Sequence, residues 1–325
     1  MATGGGRGNA FAKIRDVNRR EFLSSALAGS AVAGLASAQT PPPGNIILVH
    51  EHVLVDFTSG KSPYDPDEVF AIAKPHLEEA KKYGVRRFQD CSPAYIGRNP
   101  KLLQRLSDAV GIEIWTNTGW YAARNHQYLP GEAKTESAAR IAKRWVEEWR
   151  TGVDGMKPRF IKIGVNNGPL PELDKKIVLA AALCSKETGL TIQSHTGNGM
   201  AALEQLEIIT AEKVDASKFV WVHAYREKDH AIHEKVAKAG AWVQFDGVSE
   251  TSLQWHAECV RFMESKKLLN RTMISQDAGY YKPGQPKGGA FRPFTTMQKQ
   301  LLPMLAPLWG LQLLVMNPIA AYGKS

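Results

Sequence analysis

Ile46-Ile47-Leu48-Val49-His50-Glu51-His52-Val53 is an apolar run of strand formers ending in two histidines one residue apart. Side chains alternate with period 2 along a strand, so His50 and His52 project to one side. Two imidazoles on one side at the end of a buried strand can grip a metal ion. Two ordinary histidines at a strand end would read the same way, and residues far downstream decide between the two.

Outward from this stretch, short apolar runs alternate with segments of helical period. The pattern predicts a helix over 67–83, a strand over 85–90, a helix over 99–110 and a strand over 112–118. It continues with helix 135–150, strand 160–164, helix 172–188, strand 190–194, helix 200–212 and strand 219–222. Helix 227–239, strand 241–245, helix 253–269, strand 271–275 and a helix near 294–305 complete it, before a C-terminal helix. Eight strand–helix alternations in about 280 residues predict the α/β fold of a (β/α)8 TIM barrel, a single domain over residues 45–325. An open doubly wound sheet would carry a Gly-rich phosphate turn after its first strand, where this chain has His-Glu-His.

Barrel chemistry gathers at the C-terminal ends of the strands. The first strand ends in His50 and His52, the fifth in Ser194-His195, the sixth in Val222-His223 and the eighth in Gln276-Asp277, while Lys162 interrupts the apolar fourth strand. Imidazole and carboxylate suit zinc or a similar divalent ion. A lysine cannot ligate as an ammonium, but its neutral amine can combine with CO2 to form an anionic carbamate able to bridge two metals. Trp120 and Tyr121 beyond the third strand, Trp255 after the seventh, and Tyr280 and Tyr281 after Asp277 are candidates for a substrate wall. His230 and His233 stand among Lys, Glu and Asp on a predicted helix, which reads as a solvated face. Cys91, Cys184 and Cys259 are widely spaced and without a CxxC motif, which reads as buried and inert.

With these residues in place, the chain resembles the phosphotriesterase family of the amidohydrolase superfamily, including its phosphotriesterase-like lactonases. Tyr95-Ile96-Gly97-Arg98-Asn99, Thr118-Gly119-Trp120-Tyr121, Ile161-Lys162-Ile163, Ser194-His195-Thr196 and Ile274-Ser275-Gln276-Asp277 carry the likeness. The resemblance implies a hydrolase of an ester, lactone or phosphotriester, with a hydroxide shared by two divalent metals as nucleophile. Zinc is the first expectation for the metals, with cobalt or manganese as substitutes. By position, His50, His52 and Asp277 resemble the ligands of the more buried metal and His195 and His223 those of the more exposed one. Lys162 resembles the carbamylated bridge. Asp277 is the expected proton acceptor, and Tyr121 is expected to orient substrate or nucleophile. Two positions depart from the family: Ala224-Tyr225-Arg226 stands where phosphotriester-cleaving members have a relay aspartate, and Gly247 follows Asp246 where a histidine or arginine is usual. A mononuclear amidase or deaminase would use the same histidines without Lys162, and a binding barrel whose relay has decayed is the non-enzymatic alternative.

The remaining composition bounds partners and location. Of 325 residues, 43% are hydrophobic and 22% charged, as in ordinary globular proteins. Five basic residues (Arg7, Lys13, Arg15, Arg19, Arg20) and two acidic ones (Asp16, Glu21) give residues 1–38 a net +3, leaving +6 of the total +9 for the rest. There Lys and Arg interleave with Asp and Glu and no recognition motif accompanies them, which argues against nucleic acid and for a small-molecule substrate. Arg19-Arg20, the apolar Leu27–Leu35 stretch and Ala36-Ser37-Ala38 read as a twin-arginine signal peptide over 1–38, with a linker over 39–44. The expected location is therefore periplasmic or secreted, without stable membrane insertion once the signal is removed. The sequence leaves room for a homodimer.

Overall fold

Parallel strands and outer helices alternate through the computed structural model, which describes residues 44–323. The signal segment read over 1–38 and all but the last residue of the linker lie outside the described residues. The elements are β1 (Ile46–Leu54), α1 (Pro66–Lys82), β2 (Val85–Asp90), α2 (Pro100–Val110), β3 (Glu113–Trp115) and β4 (Asn117–Thr118). They continue with α3 (Ala138–Thr151), β5 (Phe160–Gly164), α4 (Glu172–Thr188), β6 (Ile192–His195), α5 (Gly199–Ala211) and β7 (Phe219–Val222). Next come α6 (His230–Lys238), β8 (Trp242–Phe245), α7 (Leu253–Ser265), β9 (Thr272–Ile274) and β10 (Gly279–Tyr281).

All strand pairs are parallel, in the orders β10-β1-β2-β3 and β4-β5-β6-β7-β8-β9. The third barrel strand, expected to run unbroken, is interrupted at Thr116, so β3 pairs with β2 and β4 with β5. The eighth is likewise split into β9 and β10, and Asp277 N donates to His50 O (3.0 Å) where it passes β1.

Local sequence sets the helix ends. Asp65 and Pro66 start α1, Asn99 and Pro100 start α2, and Ser137 accepts from Arg140 N at the start of α3. Gly111 and Gly189 end α2 and α4 in left-handed conformation. The helix expected over 294–305 is instead a π-helical turn (Met297–Leu301) followed by a 3-10 turn (Leu302–Met304), with Pro303 unable to continue an α-helical ladder.

Two cores result. Ile47, Val49, Phe160, Val220, Trp242 and Met273 fill the inside of the barrel, whereas Ile46, Leu48, Ile161, Phe219 and Val243 pack outward under the helices. The C-terminal helix belongs to the inner core's lower end: Ala321 packs there, and Asn317 Nδ2 donates to Leu269 O and Thr272 O at 2.7 and 2.6 Å. That leaves the opposite end, where the strands finish, open for a site.

Candidate metal centre

Strict alternation along β1 would put His50 with Leu48, facing the helices. A register shift between Leu48 and Glu51 breaks the alternation, so Val49 and His50 both face the barrel interior. Two other site residues are re-aimed by their backbones: His223 (φ +64°) and Asp277 (φ +50°) are both left-handed, an arrangement non-glycine residues hold only when their surroundings enforce it. Glycine lets neighbouring strands close in. A Cβ on Gly119 (φ +121°) would stand 2.1 Å from the Lys162 carbonyl oxygen, and one on Gly279 (φ +90°) 1.8 Å from that of His52.

His50, His52, Lys162, His195, His223 and Asp277 converge on one cleft at the strand ends, with a cavity volume of about 110 Å³. Lys162 Nζ lies 3.2 Å from His50 Nε2, and Asp277 Oδ1 lies 3.2 Å from His52 Nε2 and 3.6 Å from His50 Nε2. His195 Nδ1 and His223 Nε2 are 2.7 Å apart. Ligand atoms of His50, His223 and Asp277 all fall within 4.8 Å of one another.

The hydrogen bonds behind these residues fix which nitrogens face the cleft. Asp246, fully buried, takes the Nδ1–H of His50 on one oxygen and that of His223 on the other, each at 2.6 Å. Ser92 Oγ donates to Leu54 O (2.6 Å), so its lone pair accepts from His52 Nδ1–H (2.8 Å). In all three imidazoles Nδ1 is thereby engaged and Nε2 is the nitrogen that faces the cleft, the atom through which a neutral ring ligates a cation. Burial, reinforced by Lys162, lowers the His50 pKa to about 4 and keeps the ring neutral at pH 7. Burial and the neighbouring His223 also hold His195 well below the usual imidazole range. Burial alone would raise Asp277 and Asp246, but in each the surrounding histidines outweigh it and hold the carboxyl well below the usual carboxylate range. Four imidazoles, a carboxylate held anionic and a buried lysine able to form a carbamate are a donor set that fits divalent cations.

Glu51 points away from the cleft and clamps the eighth strand. It accepts from Ser275 Oγ (2.9 Å), Gln276 N (3.1 Å) and Ala278 N (2.7 Å), and burial raises its pKa to about 8. Its three contacts bracket Asp277.

The expected wall residues divide. Tyr121 OH lies 3.2 Å from His195 Nε2 at the cleft, and Tyr280 OH donates to Asp277 Oδ1 while its ring packs on His52. Trp120 does not reach the cleft: adjacent to Tyr121 on an extended segment, it turns outward and packs edge-on against Trp145 of α3. Trp255 is also displaced, since it rides on α7, donates from Nε1 to Tyr225 O (2.7 Å) and stacks on His230. Tyr281 is buried beside Gly288 instead. The reading of His230 and His233 as a solvated face fails too. His233 is fully buried, with Nε2 bonded to Ala224 O (2.8 Å), and His230 stacks on Phe262. The three cysteines are buried, and burial pushes their thiols up.

Asp246, Phe57, Arg124 and Arg226 complete the surroundings; only Asp246 and Arg226 had drawn notice in the sequence, as neighbours of departures from a pattern. Comparison with known proteins matches this architecture. The chain belongs to the phosphotriesterase family, whose model matches residues 37–321. It is 28% identical over 242 residues to the phosphotriesterase homology protein of Escherichia coli, covering 72% of this chain and 82% of that protein. It is 27% identical over 206 residues to an aryldialkylphosphatase of Saccharolobus solfataricus, covering 61% and 65% respectively. In structure it resembles the E. coli homology protein complexed with phosphate in its active site, with TM-score 0.76, 24% identity and 87% and 99% of the two chains covered. A Listeria monocytogenes lactonase shares the fold at TM-score 0.75 and 19% identity, over 88% of this chain and 97% of that one.

Proposed function

We propose that this chain is a hydrolase that uses two divalent ions, zinc first and cobalt or manganese as substitutes, to cleave an ester, lactone or phosphotriester. His50, His52 and Asp277 would hold one ion, His195 and His223 the other, and Lys162, as its carbamate, would bridge them. The observation that carries this reading is the shared Asp246 carboxylate, which turns Nε2 of both His50 and His223 toward the same cleft. When bound, such ions polarise the substrate oxygen and lower the pKa of water toward neutrality.

The protein's own groups do the rest. Asp277, kept anionic, accepts a proton from the attacking water on a carboxylate oxygen. The water oxygen bonds to the carbonyl carbon or phosphorus, the bond to the leaving oxygen breaks, and the proton passes to that oxygen. Tyr121, whose pKa burial raises to about 12, stays protonated and can donate to a substrate oxygen beside His195. The cleft's size suits a small molecule. No described helix is long and apolar enough to cross a membrane. With Arg19-Arg20 and Ala36-Ser37-Ala38, the proposed route is twin-arginine export to the periplasm, with residues 1–38 removed.

A mononuclear reading draws on the His50, His223 and Asp277 cluster, which would serve one ion without Lys162. A panel of aryl esters, lactones and phosphotriesters, assayed after loading with zinc, cobalt or manganese, tests the proposal. Metal-dependent turnover of at least one class is expected. Filled metal sites with no turnover on any class would make the chain a binding protein instead.

A further inference from the structure

We propose that Arg124 and Arg226 select substrates that carry a fixed negative charge, as carboxylate, sulfonate or phosphate, on the part of the molecule lying at the cleft mouth. This rests on the hydrolase reading above and names the substrate class for the same cleft. Both arginines line the cleft and both are exposed, Arg124 on the loop after the third barrel strand and Arg226 on the turn after the sixth. The carboxylate lining this cleft is Asp277, on the floor among the histidines.

Several other arginines of the chain are paired with carboxylates. Arg98 meets Glu148 through two hydrogen bonds, Arg144 meets Glu136 the same way, and Arg105 and Arg150 also face carboxylates. The two mouth arginines touch only aromatic residues in their side-chain contacts among the described residues. Arg124 lies over the Phe57 ring at 4.0 Å and shares the cleft lining with Tyr121, and Arg226 Nε lies 3.5 Å from Tyr225 OH. Their planar donor forks stay available for a bidentate anion.

The backbone under Arg124 is built to hold it there. Arg124, Asn125 and His126 are all left-handed (φ +58°, +57° and +64°), a run that non-glycine residues adopt only under constraint. A clamp supplies the constraint. Asn125 N donates to Asn166 Oδ1 (2.9 Å), Asn166 Nδ2 donates to Asp174 Oδ2 (2.9 Å), and His126 Nε2 lies 3.2 Å from Asp174 Oδ1. Asp174 is fully buried, so the clamp is anchored in the helix layer. What this turn delivers to the cleft is one guanidinium. A neutral substrate would gain nothing from it.

The test uses metal-loaded protein and two aryl esters of matched size, one ending in a carboxylate and the other in the corresponding primary amide. The anionic ester should show kcat/KM about tenfold higher or more at low salt, with the preference shrinking as salt screens the pair. R124Q and R226Q should each cut that preference several-fold, chiefly through KM, R226K should retain part of it, and R226E should reverse it. Equal kcat/KM for the two esters in the parent protein, or an R226E preference unchanged from the parent, would overturn the proposal. Circular dichroism and metal content verify that each variant is folded. If neither ester is cleaved, the hydrolase reading is what fails. Calorimetric titration of the same two compounds then still decides the inference, with tighter binding of the anion expected and equal or weaker binding overturning it.

Discussion

Asp246 Oδ2 lies 2.6 Å from Nδ1 of His50, with neither residue more than 2% exposed. The other oxygen of the same carboxylate holds His223, which reaches the cleft from β7. One side chain from β8 thus sets the ring orientation and tautomer of two proposed ligands on strands one and six. Asp246→Asn can accept from only one of the two imidazoles and must turn its NH2 toward the other. Metal affinity should fall about 10–100-fold, read by competition titration with a zinc chelator. Unchanged affinity would remove Asp246 from the positioning role.

The six proposed ligands were legible because each ends a strand or stands inside one in a pattern read from sequence alone. Asp246 was not, because its importance lies in touching His50, 196 residues away, and no local periodicity records that. Trp120 was misplaced for a related reason: "beyond strand three" locates a residue along the strand and leaves its side undecided, and the side belongs to Tyr121. His233 looked solvated because Lys, Glu and Asp flank it, yet a nine-residue helix against the barrel still buries one stripe. The register shift in β1 that turns His50 inward likewise has no signature in the amino acids themselves.

Tyr121→Phe removes only the hydroxyl 3.2 Å from His195 Nε2. If that hydroxyl donates to the substrate oxygen during attack, kcat should drop about tenfold with KM nearly unchanged. Steady-state kinetics on the best ester or lactone distinguishes this from rim packing, which would change KM instead.

Gly279→Ala would push a Cβ to within 1.8 Å of the His52 carbonyl oxygen, where the φ of +90° is already unfavourable for any L side chain. The strands carrying His52 and Asp277 must then separate. A loss of about 3 kcal/mol or more is expected in denaturant unfolding, accompanied by loss of bound metal. Stability within experimental error of the parent would show that β1 and β10 can part without cost.

His233 predicts a specific acid sensitivity. Burial lowers its folded pKa to about 4, whereas the unfolded histidine titrates near 6.5. Above pH 6.5 both states are neutral and nothing changes. As pH falls from 6.5 toward 4 the unfolded chain binds a proton that the folded one refuses, so stability falls, by about 3 kcal/mol over the window. His233→Gln, which does not titrate, should flatten that part of the stability profile measured by urea unfolding. An equally steep profile in the variant would place the acid loss elsewhere.

Lys162 carries the central claim, because it alone separates a two-ion site from a one-ion site. The most direct measurement is elemental analysis of the purified protein beside Lys162→Ala, with and without a short-chain carboxylic acid in solution. Two divalent ions per chain are predicted for the parent, loss of metal and activity in the variant, and partial recovery of both when the acid replaces the carbamate. One tightly bound ion per chain, retained in full by Lys162→Ala, would contradict the account.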